Sequence, residues 1–479
     1  MPRVLVIGID SATFDIINPM VERGWLPNFE RLINVGVSAD LRSTIPYVTA
    51  PGWTTMMSGV DPGKHGAFSM TTLDGYCPKP TDSRYVKSKR VWDYLSEHGY
   101  KSLIINLPIT YPPTPLNGWM VTGTLTPDQG SGFTYPESLK EHILSIFPNY
   151  VPEIPEGLHG IDAIYDGYAS SVELRTKVFK YLLKKMDWDL GVCVFNEPDK
   201  IQHKLFGIAD EKIWKLYSLM DSFIGFVLDE FHDCEMIVAS DHGGGPIHFG
   251  FNINQWLMEE GYLGLRYLVK MKNKIRRKRK TTKLRSSVSG SSPERKGFFK
   301  RYWDERYHYG DYSTVFDMGR TRAFGMESGV RINLKGREPQ GIVDPKDYDK
   351  MVESIIHDLK KIVDEKGNQI MENIASSEDL YGKSPYISDS ADVVFTIEKG
   401  GIHRVIHPSS STFEPSVIPG DHRRNGIFIY RTVRTESGFK IPTMDIGEIT
   451  PIILFIMGIP IPRDMDYGDE IYKRRNRNR

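Results

Sequence analysis

The sequence predicts an α/β protein: a three-layer, doubly wound, mostly parallel central sheet with helices on both faces, and with insertions. Three observations predict it. Apolar runs such as RVLVIGI at residues 3–9 show no polar alternation, which suits strands covered on both faces of a parallel sheet. Strand-like and helix-like stretches alternate along the chain, as βαβ units require. Three of the apolar runs lead into an aspartate, at the carboxyl ends of strands where open α/β sheets bind ligands.

The elements follow in order. Residues 3–9 form a strand ending at Asp10, and a helical stretch runs from about Phe14 to Val35 with Pro27 as a break. A helix near Val91–His98 precedes a strand at Ser102–Asn106. Gly191–Phe195 (GVCVF) and Met236–Ala239 (MIVA) are the next strands, and between them Lys212–Leu228 carries Leu216, Leu219, Phe223 and Val227 at helical positions. Residues 265–310 break the rhythm: KNKIRRKRKTTKLRSSVSGSSPERK is polar, basic and serine-rich, as a mobile insertion would be. Strands near Arg331–Leu334 and Asp392–Ile397 then flank a helix from Pro345 to about Val363. Gly426–Tyr430 is the final core strand, followed by a helix near Ile449–Met457. The expected organisation is one discontinuous core, 1–264 plus 311–460. Residues 110–170 form a cap or specificity insertion, 265–310 a basic insertion and 461–479 a basic tail.

Composition narrows the class. At roughly 150 residues per domain, a chain of 479 residues has length for about three domains, although large α/β enzymes often build one core. Apolar residues make up 40% and charged residues 25%, the balance of a globular protein that buries enough surface to need no disulfide staples. Cys77, Cys193 and Cys234 are few and odd in number, and none lies in a C-x-x-C pair. That argues against a disulfide framework or a cysteine zinc site and fits a reducing compartment. The opening MPRVLVIGID has no signal-peptide core, and the longest apolar run, Pro451 to Pro462, is too short to span a membrane. The expected location is cytoplasmic.

The net charge of zero hides an asymmetry. Arg266 to Arg301 holds fifteen Lys/Arg against Glu294 alone, so the remainder carries a net −14. Such a block suits an anionic membrane surface, in a peripheral association, or another polyanion. No sequence-specific nucleic-acid recognition is expected from it.

The chemistry lies at the strand ends. Asp10, Asp199 and Asp241 each follow an apolar strand, and two have a histidine close by. Asp199-x-x-x-His203 places both side chains on one helical face, able to reach one cation. Asp241-His242, in VASDHGGGP, sets a carboxylate and an imidazole before three glycines that leave backbone room around a crowded site. Such a pair suits zinc or manganese. Thr49, in STIPYVTAPGWTTMMSG, is a hydroxyl that a metal ion can activate as a nucleophile. Pro51 close behind it suits a helix start, whose positive end would face a bound phosphate. His422, in IPGDHRRNGIFIYR, precedes a strand, with Arg423 and Arg424 able to pair with an anion. Lys64 and His65, in PGKHG, are candidate substrate contacts, as is Arg423.

These residues, in this order, resemble the alkaline phosphatase superfamily, and most closely its type I phosphodiesterase/nucleotide pyrophosphatase branch with the microbial phosphohydrolase/phosphomutase relatives. The motifs are GIDSATFD, TIPYVTAPGWTTMMSGVDPGKHG, EPDKIQHKLFG, VASDHGGGP and GDHRRNGI, spread from residue 8 to residue 427. The resemblance implies an alkaline phosphatase-like fold and two divalent ions, zinc foremost and manganese as the alternative. Asp199, His203 and His422 would hold one ion and Asp10, Asp241 and His242 the other, with Thr49 between them. It implies a phosphohydrolase acting through a phosphothreonine on a phosphorylated small molecule, glycan or nucleotide. A phosphotransferase, phosphomutase or phosphonate hydrolase could use the same site, and a binding module on polyanions or membrane surfaces is the non-enzymatic alternative. No arginine adjoins Thr49, which favours diesters, and CPKPT around Cys77 does not match the sulfatase pattern.

Overall fold

The computed structural model describes residues 2–468 except 154–156, 267–309, 365–366, 398–399, 404–410, 417 and 433–437. The body of the basic insertion and the tail from 469 lie outside the described residues.

In chain order the elements used below begin with β1 (Val4–Ile9), α1 (Phe14–Glu22), α2 (Pro27–Val35), β2 (Val37–Arg42) and α3 (Thr49–Ser58). Next come α4 (Val91–Glu97), β3 (Ser102–Leu107), β4 (Gly118–Thr122), β5 (Thr134–Tyr135), α5 (Ser138–Ile146) and α6 (Ile161–Lys185). Then follow β6 (Leu190–Phe195), α7 (Glu197–Leu205), α8 (Asp210–Glu230), β7 (Glu235–Ala239) and β8 (Gly243–Pro246). The last are β9 (Ala323–Met326), β10 (Gly329–Ile332), α9 (Tyr348–Leu359), β11 (Glu372–Ser376), β12 (Val393–Thr396), β13 (Gly420–Arg423), β14 (Asn425–Arg431), β15 (Phe439–Lys440), β16 (Met444–Asp445) and α10 (Ile449–Ile456).

The main sheet has ten strands in the order β15-β2-β14-β7-β1-β6-β3-β4-β5, with β16 beside β2. Its centre is parallel: β1 pairs with both β6 and β7, and β3 with β6 and β4. The final core strand, β14, runs antiparallel between β2 and β7. The apolar runs behave as their pattern requires. Along β1, Leu5, Ile7 and Ile9 enter one core with residues of α1, α2, α6 and α8, while Val4 and Val6 enter a second core with residues of α3, α4 and α10. A strand wholly buried on both faces has no polar side to alternate.

The helical stretch expected from Phe14 to Val35 is two helices, with Pro27 at the first position of the second, where its missing N–H costs nothing. The α2 start has no cap of its own. Asp221 of α8 accepts the Asn28 and Phe29 N–H groups at 3.0 and 2.8 Å instead. Residues 118–122 and 134–135, within 110–170, extend the edge of the main sheet as β4 and β5.

The strands around residues 323–396 do not join the main sheet. They form a separate four-stranded sheet, β9-β10-β12-β11, linked by antiparallel pairs. This sheet packs with α9 and residues 251–265 around its own apolar core, centred on Phe251, Phe316, Phe324 and Ile355. Among the described residues, Cys77, Cys193 and Cys234 are free thiols, and no helix is long and apolar enough to cross a membrane.

Candidate active site

Strand order assembles the site. Because β7, β1 and β6 are adjacent and parallel, their carboxyl ends lie side by side. Asp10 follows β1 directly, Asp241 follows β7 by one residue, and Asp199 sits in the first turn of α7, just after β6. His242 opens into β8, which pairs antiparallel with β13 in a register that sets Gly244 opposite His422. A ladder between chain segments about 180 residues apart thus carries His422 to the other ligands.

Two clusters result. In the first, Asp199 Oδ1 lies 3.1 Å from His203 Nε2 and 3.3 Å from His422 Nε2, and the two imidazole nitrogens are 3.1 Å apart. In the second, His242 Nε2 lies 3.1 Å from Asp241 Oδ2 and 3.7 Å from Asp10 Oδ1. The His242 and His422 rings, centroids 4.0 Å apart, join the clusters. Each group places its ligand atoms within 4.8 Å of one another, close enough to hold one metal ion.

The proton positions show what the clusters could hold. His203 Nδ1 sits 2.9 Å from the Gly420 carbonyl and His242 Nδ1 sits 3.0 Å from the Gly243 carbonyl. A carbonyl only accepts, so each Nδ1 carries a proton, and in the neutral ring each Nε2 presents a lone pair. Those lone pairs point at Asp199 Oδ1, Asp241 Oδ2 and Asp10 Oδ1, three buried oxygens without a hydrogen-bond partner. Acceptors crowded on acceptors in a dry site call for positive charge among them, from protons or from a metal ion. The donor set of nitrogen and carboxylate oxygen fits zinc or manganese.

Burial sets the electrostatics. It pushes the Asp10 carboxyl up to about 7, with the Asp199 charge adding to the shift, while the Trp53 indole N–H, 3.2 Å from Asp10 Oδ2, opposes it. Burial and then the charge of Asp10 drive Asp241 well above the carboxylate range. Burial holds His242 down to about 3, as a neutral imidazole. Burial also acts to raise Asp199, but His203 and His422 in their protonated forms, each with Nε2 facing Asp199 Oδ1, outweigh it and hold this carboxyl well below its ordinary value. A cation in the cluster would supply the same charge.

Thr49 is the first residue of α3, and Val48 occupies the capping position. Thr49 Oγ1 therefore has no capping duty and lies 3.4 Å from His242 Nε2, at the helix's positive end. Gly52, one turn on, lets α3 approach closely: a Cβ there would stand 3.1 Å from the Asp241 carbonyl oxygen. The three glycines of β8 have the same reason, since side chains at Gly243, Gly244 and Gly245 would strike Asn425, Gln202 and Arg423.

Lys64 and His65 are the expectations that the structure redirects. His65 is wholly buried, and its Nδ1 accepts the Ala67 N–H at 3.1 Å while its Nε2 bonds Thr55 Oγ1 at 2.9 Å. Lys64 pairs with Asp466 and donates to the Asp464 carbonyl at 2.8 Å. Both belong to a one-turn helix, Pro62–His65, that braces α3 and the chain near 465. Arg423 stays beside the site, donating to the His422 and Pro246 carbonyls. The sequence reading missed Trp53, Gln202, whose Nε2 donates to the Ser11 carbonyl, and Ser11, whose φ of 63° aims its N–H at Asp241 Oδ1. The available signal was position, since Ser11 follows a strand-end aspartate and Gln202 precedes His203.

A mostly parallel sheet with three aspartates just beyond its strand ends and three imidazoles folded over them is the frame of a hydrolase of the alkaline phosphatase superfamily, and the comparisons place the chain there. Residues 4–405 match the family model for type I phosphodiesterase / nucleotide pyrophosphatase, and the chain belongs to that family. Among solved structures, murine ectonucleotide pyrophosphatase / phosphodiesterase 5 aligns with a TM-score of 0.54 at 12% identity, over 96% of this chain and 97% of that one. An inactive threonine-to-alanine variant of the murine protein, in complex with AMP, aligns with a TM-score of 0.54 at 12% identity, over 97% of each chain. Human ectonucleotide pyrophosphatase / phosphodiesterase 5 aligns with a TM-score of 0.54 at 13% identity, over 96% of each chain. At these identities the likeness establishes the fold. A comparison with curated protein sequences returned no match.

Proposed function

We propose that the chain is a two-metal phosphodiesterase or nucleotide pyrophosphatase that works through a phosphothreonine on Thr49. The observation that carries the reading is the pair of buried clusters, each with a lone-pair-bearing imidazole nitrogen facing a carboxylate oxygen that has no hydrogen-bond partner, and with Thr49 Oγ1 beside one of them. Asp199, His203 and His422 would hold one ion, and Asp10, Asp241 and His242 the other. When bound, two divalent ions supply the Lewis-acid charge that activates a hydroxyl and stabilises the oxygens of an in-line displacement.

The chain's own residues do the rest. The positive end of α3 attracts the phosphate and orients it over Thr49. Thr49 releases its hydroxyl proton and Oγ1 bonds to phosphorus as the bond to the leaving oxygen breaks; the leaving oxygen takes up a proton. Water then attacks phosphorus, the bond to Thr49 breaks, and the hydroxyl is restored. The burial of Asp10, Asp241 and His242 keeps stray water from the clusters. The AMP complex of the murine relative's threonine-to-alanine variant agrees with a threonine essential to turnover and a nucleotide as ligand.

The test is a panel of phosphomonoesters, diesters and pyrophosphates on wild type and Thr49→Ala. Diesters or pyrophosphates are expected to be hydrolysed fastest, with a loss in the variant of several orders of magnitude in kcat. Retained turnover in a folded, metal-loaded variant removes Thr49 from the role.

A further inference from the structure

A charged pair lies buried at the start of α7, the helix that carries Asp199 and His203. Arg175 of α6 is 2% exposed and Glu197, the first residue of α7, is 0% exposed. Arg175 Nε donates to Glu197 Oε1 at 2.5 Å, Nη1 to Asn106 Oδ1 at 2.6 Å and Nη2 to the Pro152 carbonyl at 2.9 Å. Ser171 Oγ adds a bond to the same Glu197 oxygen at 2.7 Å, and Glu197 Oε2 has no partner.

Stability alone does not account for this pair. Dehydrating two charges costs about as much as their attraction returns, and apolar residues of similar size often serve as well or better. What sets the pair apart is where its bonds go. Asn106, at the end of β3 with a φ of 61°, donates from Nδ2 to the Val194 carbonyl of β6 at 2.7 Å. The Asn106 carbonyl accepts Nδ2 of Asn196, the residue before α7, at 3.1 Å. The Arg175 network thus ties the end of β3, the end of β6 and the start of α7 into one unit.

At that start Asn196 holds the capping position but makes no side-chain cap bond. Asp199 and His203 depend on the rotation of this helix. Glu197 precedes Asp199 by two residues, about 200° around the axis, so the pair grips the helix face opposite the ligands. Fixing that face fixes the direction in which Asp199 and His203 project.

We propose that the Arg175–Glu197 pair, clamped to Asn106, is the positioning device for the Asp199–His203–His422 metal site. The inference rests on the two-metal reading above. Arg175 and Glu197 touch neither substrate nor metal; they act through α7.

The experiment titrates metal-stripped full-length chain with Mn²⁺ and with Zn²⁺ by calorimetry. His422→Ala identifies which binding step belongs to the first cluster. The double variant R175M/E197M replaces the ion pair by an apolar pair; because Asn106 Oδ1 and the Pro152 carbonyl lose their donor, it is expected to unfold at a lower urea concentration while staying folded without denaturant. Its affinity at the His422-dependent step is expected to fall by about 10–100-fold, while the other step keeps its wild-type affinity. Arg175→Lys keeps the charge without the planar fork and is expected to lose part of the same affinity, which secures the test should the double variant fold poorly. Unchanged affinity at both steps, or equal loss at both, overturns the inference alone. A wild type without a His422-dependent step overturns the two-metal reading, and the inference with it.

Discussion

His65 offers a direct check on the physics of the nucleophile helix. Both of its ring nitrogens are used: Nδ1 accepts the Ala67 N–H, so Nε2 carries the proton and donates to Thr55 Oγ1. A second proton would have to sit on Nδ1, breaking the Ala67 bond inside a site that excludes water. Burial accordingly drives its pKa from 6.5 to about 3. The sign follows. The unfolded chain binds this proton from about pH 6.5 downward and the folded chain does not, so the stabilisation is complete above 6.5 and is lost as pH falls towards 3. Between pH 6 and pH 4.5 the linkage amounts to about 2 kcal/mol. His65→Gln cannot titrate there. Urea unfolding of wild type and His65→Gln across that range should show the wild type's advantage shrinking by about 2 kcal/mol as pH falls. A constant difference would mean that His65 gains its proton equally in both states, and the neutral, water-free assignment would be wrong. The same variant should leave KM for the best substrate unchanged, since the ring faces Thr55.

Three more perturbations bear on the site and its frame. In chelator, Asp10 must ionise at about 7 in the folded chain against 3.8 unfolded, so its contribution to stability is lost as pH rises, by about 2 kcal/mol between pH 5 and 7; Asp10→Asn should make that slope shallower in urea titrations, with Asp241 supplying the remainder, and identical slopes would contradict the buried assignment. Gly52→Ala pushes a methyl to 3.1 Å from Asp241, which should cost about 1–3 kcal/mol and lower kcat sharply by parting Asp241 from Thr49; a variant with wild-type kcat would show that α3 has slack. Asp221→Ala removes the carboxylate that caps α2, and should cost about 1–2 kcal/mol in thermal or urea unfolding while kcat stays at the wild-type value.

The buried strands were legible because their signal is local. Four to six apolar residues without alternation, as at Val4–Ile9 or Leu190–Phe195, can only be covered on both faces. Asp10, Asp199 and Asp241 were legible for a related reason, since a polar residue closing an apolar run must stand where the sheet ends. The small sheet β9-β10-β12-β11 was not legible as a separate body, because short strands such as Ala323–Met326 carry no mark of which sheet they join. The partners of Lys64 and His65 were not legible. Asp466 and Thr55 are distant or unremarkable in sequence, and a histidine in a turn looks the same whether its ring faces substrate or core.

Sequence by itself determined the doubly covered sheet, the family and the residue types able to bind cations, because periodicity and strand-end chemistry are properties of short segments. Tertiary structure supplied the contacts that gather these residues into the two groups the family resemblance implied. The strand order β7-β1-β6 sets Asp241, Asp10 and Asp199 abreast, and the β8–β13 ladder delivers His422 across the chain. It also decided that His65 is a brace and that a buried arginine stands behind α7. Such contacts join segments far apart in the chain, and only the packing of the two cores brings them within bonding distance.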